Sequence, residues 1–455
     1  MASARSSTAA HPARTLQLEV ESIAAGGGGV ARSEGLVVFV PRTAPGDIAS
    51  VSIETRGRFA RGRLDGILRP SLSRVEPACR HYTVDRCGGC QLQHMSYEAQ
   101  LAAKGRIVAD TLARIGRRAV HPPVVQPSPI SWRYRRKLTL ALRRRGDNGG
   151  GRGGHWIAGL HPFDDPRAVF DLRDCPITDE RVLATWREVL RAGELFPAAR
   201  ELRGAVQLVG DDASFVLEGG STWPGADRFF SVTPSLASLW WKRGGDERRP
   251  REMASRGTRR SHSASFTQVN AQVSDAVRAR VLELALAHTR ARVRATPIAA
   301  ATAAATAAAT ATVIDAYSGT GEVAIELARN GISVTAIELD SAATRRCGER
   351  LPPPSRALAA RVEDALPQEL PAEVVLVNPP RTGLHQRVTA TLARAAPAPR
   401  AIVYTSCDPA TLARDIARMP GFAIRSLAAF DMFPQTAHVE VVCELVPATA
   451  GEDPE

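Results

Sequence analysis

The chain has 455 residues, of which 44% are hydrophobic, and it carries a formal net charge of +12 at neutral pH. Its length allows about two to four domains with a large buried core. Apart from an Ala/Thr-rich tract at residues 299–312, no apolar stretch suits a membrane helix, so we expect a soluble protein without a membrane partner. The positive excess is mostly arginine, whose planar guanidinium pairs with phosphate and stacks on bases. This charge favours a polyanionic partner, with compositional bias as the alternative.

Short β-branched runs alternate with turns near the N-terminus. Residues 1–13 contain Arg, Ser and Ala without acids and are predicted to be a disordered tail. The runs that follow predict a small β-barrel over residues 14–74, because strands and turns recur at close spacing. The barrel has a glycine-rich first turn and four arginines that suit a nucleic-acid platform, namely Arg56, Arg58, Arg61 and Arg63. A purely structural barrel fits the same pattern.

Cysteines form a C-x7-C-x2-C pattern at Cys79, Cys87 and Cys90, and Cys175 supplies a fourth thiol. Four thiolates complete a site for zinc or an iron-sulfur cluster, and the spacing does not choose between them. Two disulfides are the alternative. Seven cysteines in a long chain without a secretory signal argue against disulfides and predict a reducing, cytoplasmic location.

The predicted central domain, residues 75–265, contains a strongly basic stretch at residues 131–145. It has seven basic residues, no acid, and the aromatic residues Trp132 and Tyr134. Positive charge with exposed aromatic faces is typical of single-stranded RNA recognition. A solvated strand face is the equal alternative.

From Phe266 to the C-terminus, helices alternate with apolar strands, which predicts a parallel α/β domain over residues 266–455. A strand ends at Asp315, a turn follows through Gly319 and Gly321, and the next strand ends at Glu338, whose carboxylate can accept both hydroxyls of a ribose. The turn lacks the G-x-G-x-x-G pattern and the P-loop lysine, so it favours S-adenosylmethionine over a phosphate-bearing ligand. After a third strand, Asp364 suits either an adenine contact or a solvated turn.

Two later strand ends carry chemically active residues. Asn378-Pro379-Pro380-Arg381 follows one strand and Cys407 follows the next, so both are expected to line the ligand crevice. This position predicts that Cys407 is a nucleophile, whereas Cys347 and Cys443 are expected to be structural. Glu440 lies on a further strand, where it is either directed into the crevice or part of a salt bridge.

The chain resembles the family of S-adenosylmethionine-dependent RNA uracil-5 methyltransferases, specifically its iron-sulfur branch with an N-terminal TRAM domain. The resemblance implies a multidomain α/β protein with a TRAM (OB-like) β-barrel, a central α+β domain holding the four-cysteine iron-sulfur site, and a Rossmann-like class I methyltransferase domain. It is carried, in the order typical of the family, by GGGGVARSEGLVVFVPRTAPGD, CGGCQLQHMSYEAQLAAK, FTQVN, DAYSGTG, NPPRTG, SCDPATLARD and DMFPQTAHVE.

The resemblance also implies roles for individual residues. Cys407 would be the nucleophile that adds to carbon 6 of uracil, and Glu440 would be the base that removes the proton from carbon 5. The four cysteines Cys79, Cys87, Cys90 and Cys175 would hold a [4Fe-4S] cluster. S-adenosylmethionine would be surrounded by Gln268, Tyr317, Gly319, Glu338 and Asn378.

The chain departs from the family pattern at two positions. Asn378 stands where the family has Asp, and Asp408 stands where Asn often follows the nucleophile; the charge of Asp408 is expected to raise the pKa of the thiol. The branch of the family that has both the TRAM barrel and the cluster acts mostly on 23S rRNA, so the resemblance implies this substrate. It also implies a monomeric enzyme. A transfer RNA uracil-5 methyltransferase and a non-catalytic RNA-binding or chaperone protein are the alternatives.

Overall fold

A computed structural model of the chain describes residues 14–145, 155–246, 250–256, 269–295 and 312–448. The predicted tail at residues 1–13 lies outside these ranges. In the described part, strands form a closed five-stranded barrel, a seven-stranded sheet and an eight-stranded sheet. The predicted multidomain α/β architecture with an N-terminal barrel is thus confirmed, and no helix in the described ranges is long and apolar enough to cross a membrane.

The barrel encloses a small apolar core that includes Leu18, Val38 and Val51. Its strands run in the order β1-β2-β3-β5-β4. Alternating burial along much of the longer strands places one set of side chains in this core and the other set on the outside. The strands are β1 (Arg14–Ile23), β2 (Gly29–Ser33), β3 (Leu36–Val40), β4 (Ile48–Arg56) and β5 (Phe59–Arg69).

The middle of the chain builds the seven-stranded sheet, against which two of its helices pack. Its elements, together with two helices that precede it and a short strand of the third sheet, are α1 (Arg80–Thr83), α2 (Tyr97–Arg114), β6 (Val125–Gln126), β7 (Lys137–Arg145), β8 (His155–Leu160), β9 (Phe170–Asp171), α3 (Glu180–Arg191), β10 (Glu201–Val209), β11 (Asp212–Glu218), α4 (Ala226–Ser231), β12 (Leu236–Lys242) and β13 (Arg251–Ser255). The strand order is β13-β12-β11-β10-β7-β8-β9. Trp186 on α3 and Phe215 on β11 meet edge to face within its core.

The C-terminal part forms the eight-stranded sheet in the order β16-β15-β14-β17-β18-β20-β19-β6. Strands β14 to β18 are parallel, and β20 runs antiparallel between β18 and β19. The elements are α5 (Ala271–Ala295), β14 (Thr312–Ala316), α6 (Glu322–Arg329), β15 (Ser333–Glu338), α7 (Ser341–Gly348), β16 (Arg356–Ala359), α8 (Val362–Glu369), β17 (Val374–Val377), α9 (Gln386–Arg394), β18 (Ala401–Ser406), α10 (Pro409–Ala417), β19 (Phe422–Phe430) and β20 (Glu440–Pro447).

Helices cover both faces of this sheet, which explains why β17 and β18 read as continuous apolar runs. The strand order reverses at β14, which lies between β15 and β17. In such sheets the ligand crevice opens beyond the carboxyl ends of the strands at this reversal. Strand β6, from the predicted central domain, pairs with β19 at the far edge; the predicted domain limits stay a prediction.

Candidate functional site

The turn between β14 and α6 has the backbone conformation of a close approach to a ligand. Tyr317 lies at φ +62°, a left-handed conformation that is uncommon for a residue with a side chain. Gly319 and Gly321 also have positive φ. A side chain at Gly319 would meet open space, whereas one at Gly321 would lie 2.1 Å from the Cys347 sulfur. A side chain would therefore fit at Gly319, whereas the lack of one at Gly321 lets α6 pack against α7.

Glu338 lies at the carboxyl end of β15, beside this turn. Its carboxylate accepts hydrogen bonds from the Gly319 N–H at 3.0 Å and the Asp340 N–H at 2.7 Å. Asp315, at the end of the neighbouring strand, is buried, and burial together with the Glu338 charge raises the pKa of Asp315 to about 7. Glu338, the acid for which the sequence predicts a ribose contact, thus lies beside the glycine turn, with Asp315 buried next to it.

The other predicted cofactor residues have different surroundings. Asn378 is exposed directly after β17, and its N–H donates to the Ala316 carbonyl at 3.3 Å. Asp364 is exposed in the first turn of α8, where its carboxylate pairs with Arg387 at 2.9 Å. The neighbouring Glu363 acts on the Tyr317 hydroxyl and contributes to a pKa of about 12 for that group, after the larger effect of burial. Gln268 lies outside the described residues.

Cys407 lies between β18 and α10, half-buried at the carboxyl end of its strand. Asp408 caps α10, because its carboxylate accepts from the N–H groups of Ala410 at 2.8 Å and Thr411 at 3.4 Å. Burial is the largest cause that raises the pKa of the Cys407 thiol, followed by the charge of Glu440. Asp408 raises this pKa further, as the sequence predicts, and Arg381 lowers it.

Glu440 begins β20, and the strand register brings it next to Cys407. Ser406 pairs with Val441 across the antiparallel β18–β20 ladder, so Cys407 and Glu440 are the next residues along the two strands. Glu440 is only 4% exposed, and burial raises its pKa to about 7, against the opposing effect of Arg381. The nucleophile and base predicted from the sequence thus lie together, with Arg381 acting electrostatically on both.

One residue that the sequence analysis missed, Asp415 on α10, fixes the loop that carries Arg381. Its buried carboxylate accepts from the Leu384 N–H at 2.7 Å and the Tyr404 hydroxyl at 2.8 Å. Arg414 donates to the same carboxylate and to the Thr382 carbonyl. The sequence LARD at residues 412–415 gives no signal that Asp415 fixes a loop, because adjacent charged residues usually face solvent.

The four cysteines of the predicted cluster are buried and free, and they belong to or line the core of the central part. Burial, and then the other thiols, raise the pKa of Cys87 to about 11 and raise that of Cys90 further. Cys87 and Cys90 each respond electrostatically to the other cysteines of the set. Within the described ranges, however, no three His, Cys, Asp or Glu side chains are gathered so that they could hold a metal ion.

The basic stretch at residues 131–145 is largely engaged within the protein. Tyr134 is buried and donates to the Pro434 carbonyl at 2.9 Å, so its ring is not free to stack on a base. Arg133 pairs with Asp174 at 2.9 Å and Arg143 with Glu201 at 2.8 Å. Arg135 donates to the Lys137 carbonyl at 2.8 Å. Much of this charge therefore stabilises the fold.

Comparisons with known proteins agree with this geometry. A family model described as tRNA (Uracil-5-)-methyltransferase matches residues 356–446. A relative from Dechloromonas aromatica, named 23S rRNA (uracil(1939)-C(5))-methyltransferase RlmD, is 30% identical over 93% of this chain and 98% of its own. An enzyme of the same name from Bordetella parapertussis is 29% identical over 93% of this chain and 92% of its own.

A solved structure gives the same fold over nearly the whole chain. The tRNA (uracil-54, C5)-methyltransferase of Pyrococcus abyssi, in complex with S-adenosyl-L-homocysteine, aligns with a TM-score of 0.65 at 22% identity and covers 94% of this chain and 99% of that chain. The motif order, the adjacent Cys407 and Glu440, and full-length relatives lead to one conclusion. This chain belongs to the family of S-adenosylmethionine-dependent RNA uracil-5 methyltransferases.

Proposed function

We propose that this enzyme transfers a methyl group from S-adenosylmethionine to carbon 5 of a uridine in 23S rRNA. The adjacency of Cys407 and Glu440 at the carboxyl ends of β18 and β20 carries the proposal. Relatives with the ribosomal RNA name match almost the whole chain, which supports that substrate. Transfer RNA is the second candidate, because the matching family model and the aligned solved structure both have transfer RNA names.

S-adenosylmethionine would occupy the crevice at the β14 strand end. Tyr317 and the open side of Gly319 would contact its sulfonium end, and Glu338 would accept its ribose hydroxyls. Asn378 would bind through its amide, and Gln268 and Asp364 complete the proposed set. Asp364 would have to exchange its ion pair with Arg387 for the adenine, so it is the weakest member.

Covalent catalysis explains why a thiol and a carboxylate are both needed. Carbon 5 of uracil is a poor nucleophile, so the Cys407 thiolate would add to carbon 6 and form an enolate. Carbon 5 of this enolate would take the methyl group, whose bond to sulfur breaks with release of S-adenosylhomocysteine. Glu440 would then remove the carbon 5 proton. The released electron pair would restore the double bond between carbons 5 and 6 and expel the thiolate. The uridine must leave any base stack to reach both groups.

The electrostatic setting suits these roles. A pKa of about 7 leaves Glu440 close to the operating pH, where a general base works best. Arg381 favours the thiolate of Cys407 and opposes the burial that disfavours it. Its positive charge would also stabilise the enolate.

The four cysteines would hold the [4Fe-4S] cluster. The proposal rests on the spacing of the cysteines and on the family resemblance; burial raises the pKa of Cys87, Cys90 and Cys175, so these thiols would lose their protons only when the cluster binds. When bound, the cluster would crosslink segments that are distant in sequence; methyl transfer needs no redox step from it. Anaerobically purified protein should contain equimolar iron and sulfide and lose both when Cys87 is replaced by Ser, whereas bound zinc would contradict the assignment.

The barrel and the central part would grip RNA, and the enzyme would act as a cytoplasmic monomer. Exposed arginines on β5 and on the preceding turn support the first proposal, because phosphate contacts supply most of the affinity for nucleic acid. The non-catalytic alternative is disfavoured by the paired Cys407 and Glu440.

The direct test is anaerobic incubation with S-adenosylmethionine and unmodified ribosomal or transfer RNA transcripts, followed by nucleoside mass spectrometry. We expect 5-methyluridine in the ribosomal RNA and none with the Cys407→Ala variant. Formation in transfer RNA alone would change the substrate class. Absence of methylation by protein that binds RNA would favour the chaperone alternative.

A further inference from the structure

The loop that leads to Glu440 is buried although it has no regular secondary structure. Residues 431–439, here called the base loop, connect β19 to Glu440 at the start of β20. Asp431, Gln435 and Val439 within it are all less than 5% exposed. Strand pairing sets the register of Glu440. Buried backbone groups without a sheet partner need other hydrogen bonds, so the contacts of this loop hold the chain that leads into Glu440.

Gln100 on helix α2 forms a reciprocal pair with the centre of the base loop. Its side-chain N–H donates to the Gln435 side-chain oxygen at 3.0 Å, and its own oxygen accepts from the Gln435 backbone N–H at 3.0 Å. Gln435 has a φ of +71°, a strained conformation that persists only where the surroundings impose it. The amide pair supplies that constraint.

Lys104 lies one helical turn after Gln100 and binds the start of the same loop. It forms an ion pair with Asp431 in which both side chains are fully buried, and it also donates to the Phe433 carbonyl at 3.0 Å. One helix face thus holds the loop at two points. A buried charge pair fixes geometry strongly, because either charge alone would be costly inside the protein.

The cysteine segment adds a third attachment. The N–H groups of Gln91 and Leu92, directly after Cys90, donate to the Gln435 carbonyl at 3.2 and 3.0 Å. Helix α2 also packs against α10, which begins two residues after Cys407. The same helix therefore contacts the elements that carry both reacting groups.

We propose that Gln100 and Lys104 are positioning residues that hold Glu440 for removal of the carbon 5 proton. This inference rests on the proposed function. It gives a part in the proton-removal step to two residues that are distant in sequence from Cys407 and Glu440. Addition of Cys407 to carbon 6 and attack of carbon 5 on the methyl group precede the use of Glu440. Loosening the base loop would therefore spare methyl transfer and slow the proton removal that breaks the carbon–sulfur bond.

The test uses the full-length protein with a 23S rRNA fragment and S-adenosylmethionine labelled in its methyl group. Gln100→Leu removes the reciprocal amide pair at nearly constant volume. Gln435→Gly removes the loop side chain and relieves the left-handed backbone, so it keeps the fold if Gln100→Leu does not. Glu98→Ala, exposed in the first turn of the same helix, is the matched control.

For Gln100→Leu we expect a methyl-bearing covalent RNA–protein complex that survives denaturation. Release of the RNA from Cys407 should be slowed by roughly tenfold or more, which is within the rate contribution of a general base. The Kd for RNA should not change, kcat and KM should fall together, and Glu98→Ala should behave as wild type. Slower methyl transfer without accumulation of the complex would overturn the proposal, as would unchanged kinetics. If wild type forms no 5-methyluridine and Glu440→Gln traps no complex, the proposed function itself fails.

Discussion

At the residue scale, the proposed chemistry depends on two groups whose pKa is raised by burial. Cys407 and Glu440 both have a pKa above the ordinary value, with burial as the main cause, and Arg381 moderates both. Each would act in its deprotonated form. Catalysis should therefore increase as the pH rises through about 7, where Glu440 loses its proton.

The raised pKa of Glu440 also means that its charged form lowers the stability of the folded protein above neutral pH. Unfolded chains release this proton near 4.5 and the folded chain near 7, so stability falls as the pH rises between these values. We expect Glu440→Gln to be more stable than wild type by up to about 3 kcal/mol above pH 7 and nearly equal to it below pH 4.5. Urea unfolding at the two pH extremes measures this, and an unchanged difference would contradict the cause assigned to the pKa.

A second prediction separates two glycines of the cofactor turn. Gly321→Ala should destabilise the protein by about 2–5 kcal/mol, because it adds left-handed strain and a clash with Cys347. Gly319→Ala should cost only about 1–2 kcal/mol, because its methyl group meets no protein atom, yet it should weaken binding of S-adenosylhomocysteine if this turn contacts the cofactor as proposed. Thermal unfolding and calorimetric titration measure both effects, and Gly321→Ala/Cys347→Ala is the control that should recover the part of the stability lost to the clash but not the part lost to left-handed strain.

At the element scale, sequence patterns predict those parts whose chemistry is local. The strand, glycine turn and acidic strand end from Thr312 to Glu338 follow from periodicity and glycine placement. Strand β6 has two residues and no periodicity, and its partner β19 is far along the chain, so its pairing could not be predicted. The position of β20 between β18 and β19 likewise depends on tertiary packing.

The candidate site was predictable to a similar degree. Cys407 and Glu440 were identified from strand ends and motifs, but their adjacency needs the β18–β20 register. For Tyr134 the sequence pattern was misleading. An aromatic residue in a basic stretch is typical of a surface that stacks on bases, but Tyr134 is buried against the base loop. Composition reports the kind of contact a residue can make, and only packing decides which one it makes.

At the scale of the whole molecule, the positive charge predicts RNA binding that weakens steeply with salt. Each phosphate contact with a single strand contributes about −0.7 to the slope of log affinity against log salt. Arg58 and Arg61 are exposed on the barrel, and in the described ranges neither has a carboxylate partner. Replacing both with Ala should reduce the slope by about 1.4 in fluorescence anisotropy titrations.

The control for this prediction is an arginine of the same barrel whose charge is already paired. Arg14 forms an ion pair with Glu34 at 2.8 Å, so Arg14→Ala should leave the slope unchanged. An equal effect per arginine removed, so that Arg14→Ala changes the slope half as much as the double replacement, would mean that the slope reports net charge alone. The barrel would then have no specific part in binding.

The covalent step through Cys407 is the central claim, and one measurement tests it most directly. In the Glu440→Gln variant, Cys407 should still add to the uracil, and the uracil should still accept the methyl group. The product should not be released, because the proton on carbon 5 is not removed. After incubation with RNA and S-adenosylmethionine, nuclease and protease digestion should yield a peptide with a methylated uridine nucleotide on Cys407. A peptide without the nucleotide, alongside normal formation of 5-methyluridine by the wild type, would contradict the covalent mechanism.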